Sequence, residues 1–122
     1  MSKKILFIED EPDEIMMVRE RFGTLGYEVV VAMDGEEGME MFFKEKPDLV
    51  LIDVIIPKID GFVVCRQIRQ SPNGEKIPIV LITAAGMLDF EEKSKQAEAD
   101  AYLRRPYESA TLDEIVKNLL EE

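Results

Sequence analysis

The chain contains no histidine, no tryptophan and a single cysteine, Cys65. Without histidine it lacks the side chain most used as a zinc ligand and as a general base near neutral pH. One cysteine cannot close a disulfide within the chain, which points to a reducing compartment, and Cys65 reads as a small buried hydrophobe on a helix. Positive charge is also scarce. Fifteen Lys and Arg stand against 26 Asp and Glu, for a formal net charge of −11. Such a surface repels nucleic acid and anionic lipid, because binding a polyanion requires cations that displace its counterions. Neither direct nucleic-acid binding nor membrane insertion is expected. Long hydrophobic runs are missing too: the first, Ile5 to Ile8, is too short for a signal peptide or a membrane span, so a cytoplasmic protein is expected.

What is present is enough for one domain, 1–122, with a real core. Short apolar runs alternate with helical stretches. "KILFI" reads as a buried strand. In "PDEIMMVRERFGTLG", Ile15, Val18, Phe22 and Leu25 recur at helical spacing, with Pro12 near the start and Gly26 at the end. "YEVVVA", "DLVLID", "IPIVLIT" and "AYL" read as further strands. "GEEGMEMFFKEK", "DGFVVCRQIRQ", "DFEEKSKQAEA" and "TLDEIVKNLLEE" read as the helices between and after them. Asp60 is placed to cap the third helix, and Leu112, Ile115, Val116 and Leu119 form the apolar stripe of the last. Strands apolar on both faces, alternating with amphipathic helices, predict an α/β architecture. Its core is a five-stranded parallel sheet, doubly wound as (βα)5, in three α/β/α layers.

In sheets of this kind ligands bind beyond the carboxyl ends of the strands. The residues there are Glu9, Asp10 and Glu11 after the first strand, Asp53 at the end of the third, Thr83 and Ala84 at the fourth, and Arg104, Arg105 and Pro106 after the fifth. Glu9, Asp10 and Asp53 are expected to converge. Three carboxylates brought close together require a cation, and oxygen-only donors suit a hard one, Mg²⁺ with Mn²⁺ as the alternative. The acidic first loop excludes a phosphate cradle, which needs glycines and free N–H groups. Asp13 and Glu14 are read as ordinary first-turn acids that favour the helix dipole.

The stretch "DLVLIDVIIPKIDG" resembles the phosphoacceptor segment of response-regulator receiver domains: a strand ending in Asp53, then Pro57, then Asp60-Gly61. "ILFIEDEP", "IPIVLITA" and "DAYLRRPY" resemble the family's other landmarks in the same order, so the resemblance spans essentially the whole chain. It implies a flavodoxin-like fold and a switch of two-component or phosphorelay signalling. Asp53 would accept a phosphoryl group from a histidine kinase or a phosphohistidine carrier protein. Mg²⁺ would be held by Asp10, Asp53 and the backbone carbonyl of Ile55, with Glu9 acting through water. Thr83 and Tyr102 would be the switch pair and Ala84 the small residue that leaves the acceptor accessible. Arg105 would contact the phosphoryl group, and the bond to Pro106 would be cis. A downstream protein would be bound through the fourth helix, fifth strand and fifth helix. Such a protein catalyses its own phosphotransfer and dephosphorylation without being a turnover enzyme on an external substrate.

One landmark departs from the family: Arg105 stands where lysine is usual, and arginine is longer, planar and multidentate. Strand alternation points Arg104 the other way, towards solvent. Ile55 and Ala85 are apolar where relatives carry polar side chains that tune phosphoryl lifetime, so slow self-hydrolysis is expected. The competing reading is a degenerate receiver, a protein-interaction module independent of phosphorylation, with Arg105 as its support. An aspartyl phosphatase would need an aspartate where Ile55 stands. A flavin carrier is opposed by the acidic loop and the missing tryptophan.

Overall fold

Every residue of the strand Leu49–Asp53 (β3) is buried, and this strand forms the centre of the sheet. Its neighbours are β1 (Lys4–Ile8) and β4 (Ile79–Thr83), with β2 (Glu28–Ala32) and β5 (Ala101–Arg104) at the edges, giving the order β2-β1-β3-β4-β5, all parallel. The five helices are α1 (Pro12–Thr24), α2 (Gly35–Glu45), α3 (Gly61–Arg69), α4 (Phe90–Gln96) and α5 (Ser109–Leu120). The computed structural model describes residues 2–84 and 86–121; Ala85 therefore lies outside the described residues.

The period-2 geometry of the strands sorts their side chains into two cores. Ile5, Phe7, Leu49, Leu51, Val80 and Ile82 point to one face, where Val18 and Phe22 of α1 and Leu112 and Val116 of α5 cover them. Leu6, Ile8, Val50, Ile52, Ile79 and Leu81 point to the other, under Phe42 of α2, Val64, Cys65 and Ile68 of α3 and Phe90 of α4. This is the three-layer α/β/α arrangement the sequence predicts. Cys65 is fully buried, and its Sγ donates to the carbonyl of Ala97 at 3.2 Å. Burial pushes its thiol up to about 12.

Local signals explain the helix starts. Glu11 caps α1 by accepting from Glu14 N at 3.0 Å, with Pro12 as the first helical residue. Asp34 caps α2 through Glu37 N at 2.8 Å, and Asp60 caps α3 through Val63 N at 3.0 Å. The first helix stops earlier than its apolar spacing suggests. Leu25 is the C-cap and is 52% exposed, because the chain turns at Gly26 with φ of 95° before it reaches a core position. Between α3 and β4, Arg69 pins the loop by donating to the carbonyls of Gly74, Ile77 and Glu98 and pairing with Asp100 at 2.6 Å. Among the described residues, no helix is long and apolar enough to cross a membrane.

Gly61 lets α3 start directly against the end of β3. A Cβ there would lie 2.6 Å from Val54 Cα and 2.7 Å from the Asp53 carbonyl oxygen. Backbone cannot yield as a side-chain tip can, so Gly61→Ala is expected to destabilise by about 1–3 kcal/mol in urea unfolding. Gly23, in α1, is the contrast, because a Cβ there would meet nothing within 4 Å. Gly23→Ala should stabilise by about 0.5–1 kcal/mol in the same assay.

Candidate functional site

The register of the parallel strands brings the predicted residues to one edge. Ile8 lies beside Ile52, so Glu9 and Asp53 are the next residues of adjacent strands. Thr83 lies beside Arg104, and the backbone N–H of Arg105 donates to the Thr83 carbonyl at 2.8 Å. Glu9, Asp10, Glu11, Glu14, Asp53, Ile55, Ala84 and Arg105 line one open cleft of about 410 Å³. The Arg105–Pro106 peptide bond is cis.

Asp53 is 7% exposed. Its Oδ1 accepts from the backbone N–H of Ile55 at 2.8 Å, and its Oδ2 lies 3.1 Å from Arg105 Nη2. Glu9 is 2% exposed. Its Oε1 accepts from the same Arg105 Nη2 at 3.0 Å, while Oε2 accepts from the backbone N–H groups of Asp10 (3.1 Å) and Glu11 (3.2 Å). Arg105 reaches a third carboxylate as well. Its Nε and Nη2 donate to Oε1 and Oε2 of Glu14, at 2.8 and 2.9 Å, in a fork-to-fork pair.

Of the three acids expected to converge, two do: Glu9 and Asp53 meet on the guanidinium, while Asp10 sits exposed at the rim of the same cleft. Among the described residues, no group of three His, Cys, Asp or Glu side chains converges closely enough to hold a metal ion. Arg105 instead lies in contact with both Glu9 and Asp53. The donors that do line the cleft are oxygens only, from Asp10, Asp53 and the Ile55 segment, and their chemistry fits a hard divalent cation.

The electrostatics follow from burial. Desolvation, then contact with Asp53, pushes the Glu9 carboxyl up to about 8, against the opposing pull of backbone N–H groups and Arg105. Arg105 holds its proton more tightly than a free guanidinium, chiefly through its hydrogen bonds to Glu14.

The remaining predicted residues lie around the cleft. Ala84 is an exposed lining residue, and Ile55 is 62% exposed beside Asp53. Thr83 is fully buried; its hydroxyl faces the sulfur of Met87 at 3.9 Å and does not line the cleft. Tyr102 is partly buried, packs edge-on against Phe90 with centroids 5.5 Å apart, and donates to Glu91 at 3.3 Å. Arg104 points away from the cleft, over the Phe90 ring and onto the Met87 carbonyl.

Glu14 corrects the sequence reading. It is no bystander of the first turn but the strongest partner of Arg105. Tyr107 carries no sequence signal of its own, yet its buried hydroxyl has no hydrogen-bond partner among the described residues. Burial and the nearby carboxylate of Glu14 push it up to about 12. In the sequence, the five donors of Arg105 signal that acceptors beyond one aspartate are needed, without pointing to Glu14 in particular.

Comparison with known proteins places this arrangement. The response regulator receiver domain family matches residues 5–117. The "Probable transcriptional regulator ycf27" of Cyanophora paradoxa is 37% identical over 119 residues, covering 98% of this chain and 48% of that protein. The chain thus spans about half the length of the curated relatives it matches. A response regulator structure from Chloroflexus aurantiacus J-10-fl is 33% identical and covers 100% of both chains with a TM-score of 0.94. The receiver domain of sensor histidine kinase PA1611 from Pseudomonas aeruginosa PAO1, with a magnesium ion coordinated in its active site cleft, is 29% identical, covers 100% of both chains and has a TM-score of 0.91. With a sheet of this order, an acidic cleft at its strand tips and a family match over nearly its whole length, the chain belongs to the response regulator receiver domain family.

Proposed function

We propose that the chain is a phosphoacceptor switch in which Asp53 takes a phosphoryl group from a phosphohistidine on a histidine kinase or carrier protein. The observation that carries this reading is Asp53 itself: a buried carboxylate at the tip of the central strand, oriented by Ile55 N–H and opening into a cleft with a fixed cation beside it. A carboxylate oxygen of Asp53 attacks phosphorus. The bond from phosphorus to the donor nitrogen breaks, and the imidazole leaves with the electron pair.

Two negative groups must approach each other in that step. Asp10, Asp53 and the Ile55 carbonyl, with Glu9 assisting through water, would hold a hard cation such as Mg²⁺, which would supply the screening. Arg105 offers guanidinium N–H groups to the charge spread over the equatorial oxygens. Ala84 leaves room for the donor. Thr83 would rotate from Met87 to the new anion, and a charge-assisted bond of about 1.5–3 kcal/mol made only in that state biases the switch. Tyr102, packed on Phe90 of α4, would follow it inward and change the face that binds a downstream protein. The protein is consumed and regenerated as a carrier of the phosphoryl group and does not turn over an external substrate. A cytoplasmic location fits this role.

A second reading is a degenerate receiver that binds partners without phosphorylation. It is favoured by the occupancy of Glu9 and Asp53 by one guanidinium in the resting state.

Intact mass after incubation with acetyl phosphate and Mg²⁺ separates the two. One added phosphoryl group, absent in Asp53→Ala and absent without the metal, is expected; no adduct from acetyl phosphate or from a phosphohistidine donor would establish the degenerate module. Because no polar side chain stands at Ile55, the adduct should persist for minutes or longer, and loss within seconds would contradict this. The Glu9 carboxyl predicts a pH dependence. Folded, it keeps its proton up to about pH 8, whereas unfolded it releases it near its ordinary 4.5. Its contribution to stability is therefore complete below the lower value and is lost as pH rises through the upper one. The metal-free thermal midpoint should fall across that window, and Glu9→Gln should flatten the fall.

A further inference from the structure

Arg105 is shared unequally among its three carboxylates. Glu9 and Asp53 each receive a single contact through one nitrogen, Nη2. Glu14 receives two, through Nε and Nη2, and both of its oxygens are engaged. Glu14 comes from the first turn of α1, and its side chain is 19% exposed. A planar fork held on its Nε edge cannot turn that edge to a second anion without releasing the first.

We propose that Glu14 is a positioning residue that holds Arg105 in the resting state, and that it surrenders the guanidinium to the phosphoryl group when Asp53 is phosphorylated. This rests on the phosphoacceptor reading of Asp53 and deepens it. The guanidinium moves its Nε edge from one anion to another. It also gives arginine a use at this position that lysine would not serve. A single ammonium has no second edge with which to be parked.

The test uses the whole chain and two kinds of readout. The first is the Nε–H resonance of Arg105 by ¹H–¹⁵N NMR in metal-free, unphosphorylated protein. Glu14→Gln should shift it and speed its exchange with solvent about tenfold, because it removes a charge-assisted acceptor. The second is the rate of phosphorylation by acetyl phosphate. Glu14→Gln should raise it about tenfold, while Asp13→Asn, which removes the same charge from the same turn, should change it by less than about twofold. An unchanged Nε–H signal in Glu14→Gln, or equal rate effects from the Glu14 and Asp13 variants, would overturn the proposal while leaving Asp53 as acceptor. A shifted signal with no adduct in any variant, the unsubstituted chain included, would instead overturn the phosphoacceptor reading and the exchange that depends on it.

Discussion

A single guanidinium among three carboxylates is the interaction on which the functional end of this molecule depends. Bringing Glu9 and Asp53 to adjacent strand tips, nearly excluded from solvent, would be prohibitive for two unscreened charges. Burial raises the Glu9 carboxyl to about 8, Arg105 contacts both acids, and Glu14 fixes where that guanidinium sits. The cleft is therefore preassembled, with its internal cation already in contact with Asp53.

The fold exists to deliver this arrangement. Five parallel strands end at the same edge, and their alternating side chains are consumed by two apolar cores. What is left at the tips is free to carry chemistry, and register sets the partners: Glu9 beside Asp53, Arg105 bonded through its backbone to Thr83. Gly61 and the Asp60 cap bring α3 against the Asp53–Val54 backbone, which holds the acceptor's own peptide in place. Thr83 ends β4 with its hydroxyl facing Met87 near α4, and Phe90 and Tyr102 form a packed pair between α4 and β5.

The sheet and its layers are legible in the sequence because β1, β3 and β4 are apolar on both faces and the helices carry apolar stripes. Asp53, Asp10 and Ala84 are legible because they stand just past apolar runs, where side chains have no core to join. The opposite orientations of Arg104 and Arg105 follow from strand alternation alone. Leu25 misleads, since helical spacing says nothing about where the chain must turn, and Gly26 decides that. Glu14 escapes notice for a different reason. A first-turn acid is equally well explained by the helix dipole, and only the third dimension shows that α1 passes within reach of the fifth strand's arginine. Reading Glu9, Asp10 and Asp53 as one cluster could not show that an arginine side chain contacts both Glu9 and Asp53.

The measurement that tests this account most directly is a crystal structure of the chain bound to Mg²⁺ and beryllium trifluoride, which mimics the phosphoryl group on an aspartate. The expected structure has the fluoride group on Asp53, the Arg105 guanidinium turned onto it and released from Glu14, and Thr83 turned from Met87 towards the fluorides. An Arg105 still forked onto Glu14, with the acceptor answered by the metal alone, would contradict it.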